Sequence, residues 1–183
     1  MYFNLSKVMN LETMMFVPRW SDDGSLCAVV VRTDGKCDVE MSPTELMDAV
    51  LRCYGSSLRG AKDGTRAILG EISMQPVLVS EKLGIYCFPS TSPENSKCIW
   101  FTLHHIESYT TIDKKHIEVT MMNGSTIDVE TSYYSFDQKV KRASHLRCRL
   151  EGRPAYQVNE TQVSYQIKKE MNDRNYEIDE RDE

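Results

Sequence analysis

The sequence predicts an α+β fold in which antiparallel β hairpins and a sheet pack against two main helices. Short β-rich runs meet at Asp-Gly and Asn-Gly turns, and two segments carry apolar residues at three- and four-residue spacing. A chain of 183 residues with 40% hydrophobic side chains can bury one core. From about Gln157 the composition becomes polar and acidic. We therefore expect one α+β domain over residues 1–156 and an acidic, partly disordered regulatory tail over residues 157–183.

The first predicted elements are a hairpin and a helix. Cys27–Arg32 and Cys37–Glu40 are β-rich and flank an Asp-Gly turn, which predicts a hairpin. The helix follows because Ser42 can cap its first turn, Pro43 suits the first helical position and Glu45 completes a capping box. Gly55 ends this helix, Arg52 lies away from the core, and the predicted core face consists of Leu46, Ala49, Val50, Cys53 and Tyr54.

The segment after this helix predicts a loop and then short strands. SSLRGAKDGT is rich in Gly and Ser, which favours a loop. The predicted strands are Pro76–Ser80, Ile85–Phe88 and Cys98–Ile106. Within the last strand, His104 and His105 should point to opposite faces, so they cannot readily share a metal ion.

The second half of the domain predicts another hairpin and another helix. HIEVTMM and STIDVET alternate in polarity on either side of Asn123-Gly124, which suits a type I′ turn. A helix from about Ser135 to Leu150 follows, with an apolar stripe of Phe136, Val140, Ala143, Leu146 and Leu150. Lys139, Arg142 and Arg149 are predicted to share another face, which Lys141, His145 and Arg147 widen.

Two further features concern the tail and the charge distribution. Val163, Ile167 and Met171 are four residues apart, which predicts a short amphipathic helix once a partner covers that stripe.

The net charge is −5. Residues 1–50 carry 4 basic and 8 acidic side chains, residues 51–153 carry 14 and 11, and residues 154–183 carry 4 and 8. A basic middle between acidic ends is compatible with a nucleic-acid ligand.

Composition argues against several classes of protein. No apolar run is long enough for a membrane span and the first residues do not form a signal peptide, so we expect a cytosolic protein. Six cysteines lack any CxxC pair, and we expect most of them to be reduced core residues. We find no enzyme signature, and we expect no cofactor and no metal site.

Two segments are candidates for phosphate contact. Within RCYGSSLRGAKDGTR, glycines expose backbone amides beside the side chains of Ser56, Ser57, Arg59 and Lys62, although no Walker or dinucleotide motif is present. The helix over Lys139–Arg149 could lie along a DNA groove. A solvated turn and a solvated helix are the alternatives. We assign the aromatic side chains Trp20, Trp100, Tyr133, Tyr134 and Phe136 to packing rather than to base stacking.

Several motifs together resemble one protein family. RCYGSSLRGAKDGT, MQPVLVS, CFPSTSPENSKCIWF and HHIESY occur in that order, followed by VTMMNGSTIDV and SYYSFDQKVKRASHLR. In order and spacing they resemble the competence transcription factor (ComK) family over roughly residues 10–150. The resemblance implies a transcription activator that binds pairs of A/T-rich promoter boxes, largely from the minor groove.

The resemblance also implies partners. Members act as homo-oligomers, dimers or tetramers, with RNA polymerase, and an adaptor delivers them to a Clp unfoldase and protease. The family's hydrophobic-aromatic-proline tail motif is not matched here. An alternative is a paralogue that works by protein contact, titrating the adaptor or a relative. For the activator, the candidate DNA contacts are Arg52, Ser56, Ser57, Arg59, Lys62 and Arg66, with a second patch of Lys139, Lys141, Arg142, Arg147 and Arg149.

Overall fold

The computed structural model describes residues 5–153, 165–169 and 176–180. The described helices are α1 (Leu5–Val8), α2 (Pro43–Cys53), α3 (Leu58–Leu69) and α4 (Tyr133–Glu151), and a 3-10 turn spans Leu103–His105. The described strands are β1 (Thr13–Trp20), β2 (Leu26–Arg32), β3 (Gly35–Val39), β4 (Val77–Ser80), β5 (Ile85–Pro89), β6 (Trp100–Thr102), β7 (Ile106–Thr111), β8 (His116–Met121), β9 (Thr126–Glu130), β10 (Tyr165–Lys169) and β11 (Tyr176–Glu180).

All described strand pairs are antiparallel, which confirms the predicted α+β class. The central sheet has the order β3-β2-β1-β6-β5-β4, and the small sheet has the order β7-β8-β9. Both predicted hairpins are present. Ala28 pairs with Val39 in the first, and Thr120 pairs with Thr126 across the Asn-Gly turn in the second.

One face of the central sheet is covered by α2. Its N-terminus has the predicted capping box: Ser42 Oγ accepts from the Glu45 amide, and Glu45 Oε2 accepts from the Ser42 amide at 2.9 Å. The face that packs on Phe16 and Val30 contains Leu46, Met47, Val50 and Leu51, all fully buried. Cys53 was predicted on this face but is exposed; it lies in the last turn of the helix, at the edge of the buried face.

The opposite face of the central sheet packs against α4 and the small sheet. Phe88, Phe101 and Phe136 form an aromatic cluster with ring centroids 5.4–5.8 Å apart. Met121 and Val119 of the small sheet join this cluster. The predicted stripe of α4 is therefore confirmed as its packing face, with Val140 partly buried and the other four residues buried.

The predicted loop at SSLRGAKDGT is wrong, because Leu58–Leu69 form a helix. Ser57 caps this helix, and its hydroxyl accepts from the Gly60 amide at 3.0 Å. Thr65 anchors the middle of the helix by donating to the Pro76 carbonyl at 2.7 Å. Such tertiary contacts offset the low helix propensity of the two glycines inside the helix.

The histidine pair also differs from its prediction. The predicted strand over Cys98–Ile106 is interrupted by the 3-10 turn, so His104 and His105 do not point to opposite faces. Their rings lie 4.2 Å apart, and both Nε2 atoms contact the Leu11 carbonyl oxygen, at 3.3 and 2.7 Å. Burial lowers the pKa of His105, as does His104 beside it.

The C-terminal unit, Arg153–Glu183, is described only in part. β10 pairs with β11, with Ile167 opposite Ile178. The predicted amphipathic helix is therefore wrong at Ile167, which lies in a strand, while Val163 and Met171 lie outside the described residues. None of the described helices combines the length and apolar character that a membrane crossing requires.

Candidate nucleic-acid interface

The first group of candidate residues lies where α2 meets α3. Arg52 is in the last turn of α2, Ser56 and Ser57 are in the connection, and the remaining three lie along α3. Asp48 ties the two helices together. Its Oδ2 accepts from Arg52 Nε at 2.7 Å, and its Oδ1 accepts from the Leu58 amide at 2.7 Å. We call Arg52, Ser56, Ser57, Arg59, Lys62 and Arg66 the α3 patch.

The predicted cradle of free amides is wrong for a physical reason. The Leu58 amide, at the start of α3, already binds the carboxylate of Asp48, and the Gly60 amide binds the Ser57 hydroxyl. A helix N-terminus attracts an anion through such unsatisfied amides. Here the protein supplies its own anion, so a phosphate would reach this patch through exposed side chains instead.

The arginines of the α3 patch are balanced by nearby acids. Arg66 contacts Asp63 at 3.0 Å and Glu71 at 3.1 Å, and Arg59 lies 4.0 Å from Asp63 with 94% of its side chain exposed. Lys62 makes no ion pair within the described ranges. Exposed ion pairs contribute little free energy, so these arginines can exchange a carboxylate for another anion at small cost.

The second group lies on α4, and one member does not belong to its surface. Lys139 is only 3% exposed, and its Nζ donates to Ser135 Oγ at 3.0 Å. Burial lowers the pKa of Lys139, and nearby Arg142 lowers it further. The prediction that Lys139 projects with the other cations is therefore wrong, because this side of α4 faces the body of the protein.

The remaining cations divide between two sides of α4. Arg142 and Arg149 are seven residues apart and lie about 20° from each other around the axis, whereas Arg147 lies about 140° from Arg142. Arg147 pairs with Glu151 at 3.0 Å, and Lys141 pairs with Asp137 at 2.7 Å. We call Lys141, Arg142 and Arg149 the α4 patch; Arg147 lies outside it.

The two patches approach each other at the loop over residues 70–76. Arg142 Nη1 donates to the Ser73 carbonyl at 3.1 Å, and Arg66 contacts Glu71 two residues earlier. Sequence reasoning left this relation open. The loop thus connects the α3 patch to the α4 patch through direct contacts.

Two of the aromatic side chains that were assigned to packing are mostly exposed. Trp100 and Phe136 are buried as predicted, and Tyr133 is 45% exposed but packs with its ring 5.3 Å from that of Tyr109, whereas Trp20 and Tyr134 are 62% and 73% exposed. Tyr133 and Tyr134 open α4 before its apolar stripe begins at Phe136, and Trp20 ends β1. Their positions at element ends were the available signal, because the last residue of an element has fewer neighbours to cover it.

Metal-binding groups, clefts and thiols bear on whether the described residues could support other chemistry. Among them, no three His, Cys, Asp or Glu side chains form a metal-binding group. A cleft of about 440 Å³ between α3, β4 and α4 is lined mostly by apolar residues and contains no His or Cys. Of the six cysteines, Cys27, Cys87 and Cys98 are buried and Cys37 is partly buried, in agreement with the prediction for most of them, whereas Cys53 and Cys148 are exposed. Burial raises the pKa of Cys87 to about 12, so this thiol is not a ready nucleophile.

Comparison with known proteins agrees with the resemblance seen in the sequence. No solved structure matches the chain. A curated protein from Bacillus subtilis (strain 168), named competence transcription factor, is 30% identical over 140 residues, which is 76% of this chain and 73% of that protein. The family described as ComK protein matches residues 6–155. The chain therefore belongs to the ComK family.

Proposed function

We propose that the protein is a DNA-binding transcription activator of competence genes, the genes for DNA uptake, and that it recognises paired A/T-rich promoter boxes largely through the minor groove. Family membership and the name of the Bacillus relative support a competence transcription factor. A transcription factor is not an enzyme, and we assign no catalytic role. The observation that carries the DNA assignment is the meeting of two basic patches at one loop.

Electrostatics explains how modest basic patches can select such DNA. Tracts of A·T pairs have a narrow minor groove with strong negative potential, so a few inserted Arg or Lys side chains discriminate them from G·C pairs. We propose that the α3 patch and the α4 patch supply those side chains and the contacts to phosphates. Arginines released from Asp63 and Glu71 would then pair with the DNA backbone.

Paired boxes favour an oligomer. Two linked subunits on two boxes multiply weak contacts, because the second binding event becomes intramolecular. We therefore propose a homo-oligomer, a dimer or tetramer, which acts in the cytosol beside the chromosome and works with RNA polymerase. Control by a Clp protease adaptor is a further expectation from the family, although the family's tail motif is not matched in this sequence.

Mobility-shift titration tests the DNA assignment. The full chain is titrated against a duplex with paired A/T boxes and against one in which G·C pairs replace them, at two salt concentrations. We expect selective binding that weakens steeply as salt rises, since phosphate contacts release counterions. Equal, weak binding to both duplexes would contradict the proposal.

One observation favours the alternative of a paralogue that works by protein contact. The chain carries a net charge of −5, and carboxylates already pair with most cations of the two patches. Such a paralogue would titrate the adaptor or a relative. It would show no salt-dependent DNA affinity but would still bind its protein partner.

A further inference from the structure

One end of the central sheet brings together three segments that the DNA assignment does not use. β1 ends there and β2 begins, since Trp20 pairs with Leu26. Ala28 pairs with Val39, so β3 ends beside them and leads into α2. Thr44 Oγ1 donates to the Pro93 carbonyl at 2.6 Å, which places the loop over residues 90–98 at the same end. We call residues 19–26, 38–45 and 90–98 the acidic end.

Large apolar side chains are exposed at the acidic end. Trp20 is 62% exposed and Met41 is 39% exposed, and Leu26 is half-buried beside Trp20. The other tryptophan, Trp100, is 1% exposed. Trp and Met are enriched in protein interfaces, and a buried Trp anchor often contributes most of the binding energy. These residues are typical of a surface that a protein covers.

The rim of this surface is strongly negative. The three segments contain six acids, Asp22, Asp23, Asp38, Glu40, Glu45 and Glu94, and two cations, Arg19 and Lys97. Arg19 pairs with Asp38 at 3.0 Å, and Lys97 pairs with Glu130 at 2.6 Å. The two cations are therefore already neutralised, and the acids that they do not pair with are exposed to solvent.

Charge decides which partner fits. The negative rim repels a DNA backbone, and a second copy docked through the same surface would place acids against acids. A protein surface with an apolar pocket and basic side chains around it is complementary in both respects. Position agrees with this choice, because α2 begins at the acidic end and carries Arg52 in its last turn, about 14 Å further along its axis.

We propose that the acidic end is the surface through which the DNA-bound protein contacts RNA polymerase, with Trp20 inserted into an apolar pocket that basic side chains surround. This inference rests on the proposed function as a transcription activator. The basic patches hold the promoter, and the acidic end, whose charge is repelled by the duplex, remains available to the polymerase.

The test uses two variants of the full chain, Trp20→Ala and Asp22→Lys. The matched controls are Ile112→Ala, at a side chain 52% exposed beside the small sheet, and Glu107→Lys, at an exposed acid of β7. Each protein is measured for promoter affinity, for transcription by purified RNA polymerase holoenzyme, for mass by light scattering, and for binding to that polymerase without DNA.

We expect Trp20→Ala and Asp22→Lys to keep their promoter affinity and mass while transcription and polymerase binding fall at least about tenfold, as for a hot-spot residue. The controls should match the unmodified chain. Transcription kept within about twofold, or a parallel loss of promoter affinity, would overturn the inference. A changed mass would overturn it too, since the surface would then join copies of this chain.

The DNA-free measurement separates the inference from the proposed function. If the unmodified chain binds polymerase and the two variants do not, the acidic end is supported as the polymerase surface, even if the protein fails to select A/T boxes. Conversely, an unmodified chain that selects A/T boxes but does not bind polymerase would retain its DNA assignment, and the acidic end would lose its proposed partner.

Discussion

The two ends of α2 differ in how far their charged side chains are paired. In its last turn and beyond it, Arg52, Arg59 and Arg66 each contact a carboxylate. At its N-terminal end, Asp22 and Glu40 form no ion pair within the described part of the chain. The net charge of −5 therefore reflects the acids that no cation balances at this end together with those of residues 154–183, which carry 4 basic and 8 acidic side chains. The net charge does not describe the local charge at the C-terminal end of α2, where the arginines can exchange their carboxylate partners for the phosphates of a polyanion.

Charge reversal on each side gives the largest expected difference between the two regions. Arg142→Glu should weaken promoter binding at least about tenfold, because it places an acid in the α4 patch. Arg19→Glu reverses a charge at the acidic end and should leave promoter affinity unchanged. Fluorescence anisotropy with labelled promoter DNA measures both variants, with circular dichroism as a check of folding. Equal losses would show that the two regions do not differ in this way.

Removing Asp48 tests the link between α2 and the α3 patch. Asp48→Ala should lower the free energy of unfolding by about 1–2 kcal/mol, because the Leu58 amide loses its cap. The hydrogen bond from Arg52 and then the Leu58 amide lower the pKa of Asp48 from 3.8. An aspartate whose pKa is lower in the folded than in the unfolded chain stabilises the fold at any pH above its unfolded-state pKa. This stabilisation is lost as the pH falls through the folded-state pKa.

Urea titration at neutral pH and below pH 4 checks this prediction. The difference between the unmodified chain and Asp48→Ala should shrink at the lower pH. Arg52→Ala is the control, since it removes only an exposed ion pair and should change stability by about 0.5 kcal/mol or less. A larger effect from Arg52→Ala than from Asp48→Ala would contradict the assigned roles.

Lys139 offers a smaller and opposite effect on stability. Lys139→Met should raise the free energy of unfolding by about 1 kcal/mol and leave promoter affinity unchanged, because an apolar chain replaces a buried cation that forms no ion pair with the described residues. Lys141→Met is the matched control, expected to leave stability within about 0.5 kcal/mol and to weaken promoter binding.

The pH dependence of the Lys139→Met effect has a definite sign. Burial lowers the folded-state pKa of Lys139 below the ordinary 10.5, so the unfolded chain binds more protons between the two values. The stability of the unmodified chain should therefore rise, relative to Lys139→Met, as pH approaches 10.5. Urea titrations at neutral and alkaline pH measure this, and a difference that widens with pH would contradict it.

The smallest expected effect on promoter affinity comes from removing an acid beside the α3 patch. Asp63→Asn should raise promoter affinity by about threefold and steepen its salt dependence, because Arg59 and Arg66 lose a competing carboxylate. Glu94→Gln removes a negative charge at the acidic end and should leave both quantities unchanged. Anisotropy titrations at two salt concentrations measure both variants. A lower promoter affinity for Asp63→Asn would contradict the proposal that the arginines exchange Asp63 for DNA phosphates.

Local signals explain what could be predicted from the sequence. The capping box at Ser42 and the Asn-Gly turn at Asn123 depend on neighbours a few residues away, so pattern alone identified both elements. The helix α3 was missed because its stabilising contacts come from Asp48 and Pro76, which are distant in the chain. Its Gly and Ser content suggested a loop instead.

The candidate site was predicted less completely than the fold. Helical spacing placed Lys139 near Arg142, but spacing alone does not say which flank of a helix another segment covers. In the structure that flank is buried and Lys139 with it. Likewise, no local pattern could show that Arg142 binds the Ser73 carbonyl and so joins the two patches.

The fixed length of α2 has a consequence for promoter architecture. Ser42 and Glu45 fasten one end of this helix, and Asp48 and Arg52 fasten the other, so it acts as a rigid spacer about 16 Å long. A rigid spacer transmits angular position as well as distance. The DNA boxes would be bound beyond one end of α2 and the polymerase beyond the other. Inserting about 5 base pairs, half a helical turn, between the boxes and the polymerase site would therefore turn the acidic end to the wrong side of the duplex. Inserting a full turn would restore it.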